Sequence, residues 1–148
     1  MIAMDCYGDY QIRTVKWHVK NYWDIKREVR DARDEMRRRS GAPERRSMGF
    51  VSDPTQSEAI KNLTPLKCVC VNQRTVKKPE EWAETVEKVM NNLDASDRKI
   101  VEIGFWRARS WQSAVLELNM DKNTYYRRRS RVLTLFAIEA SSRGLIAL

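Results

Sequence analysis

Turn-forming residues are scarce in this sequence, with 5 glycines and 4 prolines among 148 residues. A fold with many strands needs a tight turn between each pair, and those turns depend on such residues. Strand-like runs are scarce too, and the one hexamer that looks like a strand, residues 66–71, suits a buried helical turn equally well. The composition therefore favours an all-α fold.

Potential metal ligands are also few. Cys68 and Cys70 have the spacing to begin a zinc site, but zinc takes four ligands. Cys6 and His18 are the only other cysteine and histidine, and neither has paired ligand spacing. The sequence thus predicts neither a bound metal nor another cofactor.

A recognisable catalytic set is missing as well. His18 has no evident acid or nucleophile partner, and we expect it to lie at the surface or to line a groove. No glycine-rich phosphate loop occurs, and Asp94 and Asp97 are better placed to cap a helix than to bind a metal. We therefore predict that the protein is not an enzyme.

Long hydrophobic runs are absent. No run approaches the roughly 18 apolar residues of a membrane span. Asp5 and Asp9 interrupt the place where a secretory signal has its apolar core. An odd number of cysteines without such a signal is typical of reduced thiols, so we expect a cytoplasmic protein with no membrane partner.

Positive charge, in contrast, is abundant, with a net charge of +8 and a pI of about 9.6. A protein this basic favours a polyanionic partner, either nucleic acid or an acidic membrane surface. The charge is unevenly placed: residues 8–78 and 121–148 are basic, whereas residues 79–120 carry five basic and eight acidic side chains.

Residues 8–39 are predicted to form one long helix, because apolar residues recur every three or four positions. This stripe comprises Ile12, Val15, Val19, Tyr22, Ile25, Val29, Ala32 and Met36. One small core rarely holds a helix this long, so residues 1–40 are predicted to be an oligomerisation or docking arm. Lys26 and Arg33 interrupt a strict heptad seam, which makes packing within the chain a nearly equal alternative.

Residues 41–78 are predicted to be a linker with a short helix that Asp53 caps, that Pro54 begins and that runs to about Leu63. Residues 79–148 are predicted to form a helix-turn-helix domain. Its first helix begins at Pro79, runs to about Leu93 and buries Trp82, Val86, Val89, Met90 and Leu93.

The turn of this domain is predicted from its capping residues. Ser110 is expected to cap a helix over residues 111–119. Residues 119–121 then form a tight turn, because Asn119 tolerates the left-handed conformation that ends a helix and Asp121 can cap the next helix. A helix, a three-residue turn and a second, basic helix are the layout of a helix-turn-helix.

The basic second helix supplies the predicted DNA contacts, since it has five basic and no acidic residues from 122 to 131. Asparagine pairs with adenine edges and arginine or lysine with guanine, while the remaining cations contact phosphates. The predicted DNA-binding residues are Lys122, Asn123, Thr124, Tyr126, Arg127, Arg129, Ser130 and Arg131. Tyr125 is expected to face the supporting helices, together with Met120, Val132 and Leu135.

The segment from Leu93 to Tyr126 resembles the carboxy-terminal, region-four-like helix-turn-helix of sigma factors, with Leu118-Asn119-Met120-Asp121 at the turn. Most of the chain also resembles, loosely, the RinA/ArpU group of small phage transcriptional activators. The shared features are a long amino-terminal helix, the motif Gly49-Phe50-Val51-Ser52-Asp53-Pro54-Thr55 and the Tyr125-Tyr126-Arg127 helix. The chain departs from the pattern with Asn119 in place of a glycine and Arg128 in place of an apolar residue.

These features together predict a sequence-specific, double-stranded-DNA-binding transcriptional regulator. The resemblance implies an activator of phage late genes in the cytoplasm of a bacterial host, with host RNA polymerase as a second partner; the long helix allows a homodimer. Two alternatives stay open. A small terminase-like DNA-packaging subunit also combines a helix-turn-helix with helical oligomerisation, and a helical interaction protein would show no preference for any DNA site.

Overall fold

A computed structural model describes residues 8–41 and 66–146. This part of the chain is mostly helical and contains one two-stranded sheet. The predicted all-α class is therefore confirmed in its broad form, with the small sheet as a departure. The elements are α1 (Asp9–Lys20), α2 (Tyr22–Gly41), β1 (Cys68–Val71), β2 (Arg74–Lys77), α3 (Pro79–Asn92), α4 (Ala95–Ile100), a π-helical turn (Val101–Trp106), α5 (Trp111–Leu118) and α6 (Lys122–Ser142). The short helix predicted from Asp53 to Leu63 lies outside the described residues.

The described residues fall into two compact units. The larger unit comprises residues 8–22 and 81–146, and the hairpin unit comprises residues 23–41 and 66–80. The first helix thus belongs to the same unit as the carboxy-terminal helices, although it is far from them in sequence.

The long helix predicted over residues 8–39 is interrupted at Asn21, so the prediction of one continuous helix is wrong. The backbone amide of Asn21 donates to the Trp17 carbonyl at 3.0 Å, and its side-chain Nδ2 donates to the same oxygen at 2.8 Å. A side chain that bonds to a helix carbonyl in this way competes with the regular backbone ladder. The apolar periodicity gave no sign of the break because it continues on both sides of Asn21.

Helix α1 packs inside the larger unit. Val15 and Val19 are 0% and 1% exposed, and α1 contacts both α6 and the π-helical turn. The indole Nε1 of Trp106 donates to the Val19 carbonyl at 3.0 Å, and the Trp106 ring stacks against Tyr22 at 5.7 Å between centroids. The first part of the predicted apolar stripe is therefore buried within the chain.

His18 is buried, which corrects the expectation of a histidine at the surface or along a groove. Its side chain stacks on the Trp82 ring, with the centroids 3.8 Å apart and the planes 11° from parallel. Its Nδ1 lies 2.7 Å from the Thr14 carbonyl oxygen. The predicted core face of α3 is confirmed by burial of Trp82, Val86, Val89 and Leu93, and Met90 is half-buried.

In the hairpin unit, residues 66–71 contain β1, which decides between the strand and the helical turn. The sequence did not predict its partner, β2. Asn72 and Gln73 connect the strands with φ values of 49° and 65°, as a two-residue type I′ turn requires. The pairing is antiparallel and joins Cys68 to Lys77, Val69 to Val76, Cys70 to Thr75 and Val71 to Arg74.

Arg33, which would interrupt a coiled-coil seam, has a structural partner in the hairpin unit. Its guanidinium contacts both oxygens of Glu80, at 2.8 and 2.6 Å. Glu80 also accepts a hydrogen bond from the Leu66 amide at 2.8 Å. The side chain of Arg33 is only 13% exposed, so this charge-assisted contact, in which one nitrogen donates to both carboxylate oxygens, ties α2 to the two ends of the hairpin segment.

Candidate nucleic-acid interface

Helices α5 and α6 are joined by a short connection in which Ser110 and Asn119 act as the sequence predicts. The Ser110 hydroxyl accepts a hydrogen bond from the Ser113 amide at 3.3 Å and so caps α5. Asn119 ends α5 in the left-handed conformation, with φ 56° and ψ 51°. Asp121 has the extended backbone of an N-cap residue, although its side chain makes no capping hydrogen bond. The Asn119 conformation reverses the chain without glycine.

A small hydrophobic cluster fixes the relation between α4, the π-helical turn, α5 and α6. Its centre consists of Ile100, Ile103, Ala114 and Tyr125, each 2% exposed or less. Trp111, Val115, Leu118 and Met120 pack around it. Tyr125 is buried as predicted, and burial is the main cause that raises the pKa of its hydroxyl. Because the cluster draws on all four elements, it holds the first turns of α6 in place.

The π-helical turn makes room for Tyr125. A Cβ atom added to Gly104 would lie 2.7 Å from the Tyr125 hydroxyl oxygen, well inside van der Waals contact. Glycine at this position therefore allows the tyrosine ring to lie directly against the π-helical backbone. Val101, Ile103 and Phe105 of the same turn are buried.

The buried face of α6 differs from the prediction at one position. Val132 is fully buried as expected, but Leu135 is 39% exposed and Leu133 is buried in its place. Thr134, Phe136, Ala137 and Ala140 are buried as well. The prediction for Leu135 was wrong: α1, α4 and α5 all pack on α6, and Leu133 rather than Leu135 lies on its buried side.

The first turns of α6 expose several of the predicted DNA-binding residues. Lys122, Asn123, Tyr126 and Arg127 are exposed, and Thr124 and Ser130 are half-buried. The Lys122 ammonium lies 4.4 Å from the centre of the Trp111 ring, a cation–π distance that positions it beside α5. The Arg127 side chain makes no hydrogen bond or ion pair within residues 8–41 and 66–146, so its guanidinium is available to an external anion.

The other three arginines of this helix contact the protein itself. Arg128, which departs from the resembled family, donates to the Ser96 hydroxyl at 2.7 Å. The Arg129 guanidinium lies 4.3 Å from the centre of the Phe105 ring. Arg131 donates to the Asp97 carboxylate at 2.6 Å. Arg129 and Arg131, both predicted DNA contacts, therefore also have contacts that position them on the protein.

Asp94 and Asp97 at the start of α4 have different roles. Asp94 caps the helix as predicted, since its Oδ1 accepts from the Asp97 amide at 2.8 Å, whereas the Asp97 side chain does not. Asp97 is buried, with its side chain 3% exposed, and Arg131 holds one carboxylate oxygen. Its other oxygen, Oδ1, has no hydrogen-bond partner within the described part of the chain.

Lys16 of α1 adds a positive charge near this surface that the sequence did not indicate. Burial lowers its pKa, and repulsion from Arg129 lowers the pKa further. The two cations lie in the same electrostatic neighbourhood although 113 residues separate them. A bound anion would relieve this repulsion. The proximity of Lys16 and Arg129 results from the packing of α1 on α6 and could not be predicted from the sequence.

No protein-family model, curated protein or solved structure matches the chain. Within the described residues, no group of three or more histidine, cysteine, aspartate or glutamate side chains is arranged to hold a metal ion. No helix in that same part is long and apolar enough to cross a membrane.

Proposed function

We propose that α5, residues 119–121 and α6 act as a helix-turn-helix that binds double-stranded DNA. The observation that carries the proposal is the split character of α6. Tyr125, Val132 and Phe136 anchor one face in the core, while the first turns expose cations and amide groups with no acidic residue from 122 to 131. A recognition helix needs this division, because one face must be held rigidly and the other must reach the bases.

The exposed residues suggest a division of labour on DNA. Asn123 is placed to pair with an adenine edge and Lys122 with guanine, since both lie in the first turn. Arg127, without a protein partner in the described chain, is the best candidate for a phosphate contact. Arg131 keeps 60% of its side chain exposed beside Asp97, so it can contribute charge to a phosphate without leaving its carboxylate.

The cellular role follows from the resemblance to phage activators. We propose a non-enzymatic regulator of phage late genes that acts in the cytoplasm of a bacterial host, binds a promoter and contacts the host RNA polymerase. The net charge of +8 supports association with DNA. Regulation by DNA binding needs no cofactor.

Two measurements test DNA binding. First, fragments of the protein's own genome retained by the purified full chain are sequenced, and the enriched site is placed in a labelled duplex. Fluorescence anisotropy then gives the affinity for this duplex and for a scrambled one over a range of salt concentrations. The proposal predicts a clear preference for the enriched site.

The variant Arg127→Ala should weaken binding to both duplexes and flatten the slope of log affinity against log salt by about 0.9, the effect of one phosphate contact. Lys88→Ala is the matched control. It removes one positive charge from the same unit. Lys88 pairs with Glu139 at 3.4 Å, and Glu139 lies about 18 Å further along α6 than Arg127. The control should leave the slope unchanged.

Three results would overturn the proposed regulator. An unaltered slope in Arg127→Ala would remove α6 from the DNA surface. Equal affinity for all duplexes would favour the helical interaction protein. A large ring-shaped oligomer, measured by light scattering, would favour the packaging subunit.

A further inference from the structure

The hairpin unit carries two cysteines on one face of its sheet. Cys68 pairs with Lys77 and Cys70 pairs with Thr75, and all four residues are exposed. Val71 and Val76, whose positions alternate with these, are buried. Side chains of a strand alternate between faces, so the two thiols lie side by side on the outward face. We call the block of Cys68, Cys70, Thr75 and Lys77 the hairpin face.

The spacing of the two thiols suits a bridging ion better than a disulfide. Residues two apart in a strand have Cα atoms about 6.6 Å apart, at the upper end of the range that disulfides tolerate. Two sulfurs that share one metal ion, each about 2.3 Å from it, are instead about 3.8–4.6 Å apart. This wider sulfur separation needs less convergence of the two side chains.

We propose that Cys68 and Cys70 bind a soft, thiol-seeking metal ion that is satisfied by two ligands, of which Cu(I) is the representative. Thiolate ligands select such ions. Zinc takes four ligands, and no third histidine, cysteine or carboxylate joins these thiols in the part of the chain that the structure describes. The site is distinct from the DNA-binding surface and does not depend on the proposed function.

The surroundings of the hairpin face favour the charge of such a complex. Binding one Cu(I) to two thiols releases two protons and leaves a bis-thiolate complex with a net charge of −1. Lys77 lies opposite Cys68 in the register, and residues 67–78 contain four cations and no carboxylate. The Thr75 hydroxyl, opposite Cys70, offers a donor to a thiolate. Outer groups of this kind stabilise a metal site through charge and hydrogen bonds.

The test is an anaerobic titration of the reduced full-length protein with Cu(I) in competition with a chromogenic Cu(I) chelator. We expect one ion per chain with no change in molecular mass. Cys68→Ser and Cys70→Ser should each weaken binding by more than the roughly 100-fold that loss of an outer partner can cost, since each removes half of the ligands. Cys6→Ser, which leaves both ligands in place, should bind as the unaltered protein does.

A register variant provides the matched control. Val69→Cys combined with Cys70→Val keeps the number of thiols but places the two on opposite faces of β1, so binding should weaken as in the serine variants. Circular dichroism verifies that each variant keeps its fold. Unchanged affinity in Cys68→Ser or in the register variant would overturn the proposal. So would equal loss in Cys6→Ser, or one ion per two chains with a doubled mass.

Discussion

Replacement of Arg131 by alanine tests how α6, the helix of the proposed DNA contacts, is held to α4. Arg131 and Asp97 are 34 residues apart and are joined at 2.6 Å. Arg131 is the only hydrogen-bond partner of the Asp97 carboxylate within the described residues. It donates to Oδ2, and Oδ1 has no partner. The variant would therefore leave a carboxylate that is 3% exposed with no partner.

The expected loss of stability follows from this burial. Leaving a buried polar group without its partner costs about 1–3 kcal/mol, and breaking a fully buried ion pair costs about 3–5 kcal/mol. Arg131 itself is 60% exposed, so water can enter where the guanidinium was and reduce the loss. We therefore expect Arg131→Ala to lower the free energy of unfolding by about 2 kcal/mol, which corresponds to a fall in Tm of about 4–8 °C.

Urea denaturation followed by circular dichroism at 222 nm measures this change. Arg127→Ala is the control on the same helix and should alter stability by less than about 0.5 kcal/mol, because its side chain is exposed and unpaired in the described chain. In an Asp97→Asn background the charge is gone, so Arg131→Ala should cost clearly less. An equal cost in both backgrounds, or a cost within the range of the control, would refute the assigned role of the pair.

Three further predictions concern the proposed base contact and the core. Asn123→Ala should reduce discrimination between the enriched and scrambled duplexes by about 1–3 kcal/mol in anisotropy titrations. An equal loss of affinity for both duplexes would instead indicate that Asn123 contacts the DNA backbone. Gly104→Ala should destabilise by about 1–2 kcal/mol in urea, because the new methyl meets the Tyr125 hydroxyl; failure of an added Tyr125→Phe to restore stability would contradict this. Aspartate at both Val15 and Val19 should abolish the cooperative thermal transition, since both are buried, and a folded variant of lower molecular mass would instead show an intermolecular stripe.

Local signals in the sequence predicted the turn between α5 and α6. Ser110 and Asn119 act through their own backbone neighbourhood, so their capping and left-handed roles were readable without a fold. The start of α3 at Pro79 and the burial of Tyr125 were predictable for the same reason, since helical periodicity and helix start and stop signals depend only on nearby residues.

Features that depend on distant residues were not readable. The break at Asn21 and the strand β2 were missed because apolar periodicity does not detect a one-residue interruption of a helix or a four-residue, mostly polar strand. The burial of His18 depends on Trp82, and the exposure of Leu135 depends on which elements pack against α6. Each requires contacts between segments that the sequence does not place together.

The sequence alone determined that this is a basic, mostly helical chain with a capped turn before a cationic helix, because composition, periodicity and capping are local properties. Tertiary structure alone decided which arginines of that helix remain free. Arg128, Arg129 and Arg131 contact Ser96, Phe105 and Asp97, which lie 32, 24 and 34 residues earlier in the chain. Arg127 differs from them in no local feature of sequence, and only the packing of α4 and the π-helical turn on α6 leaves it facing outward.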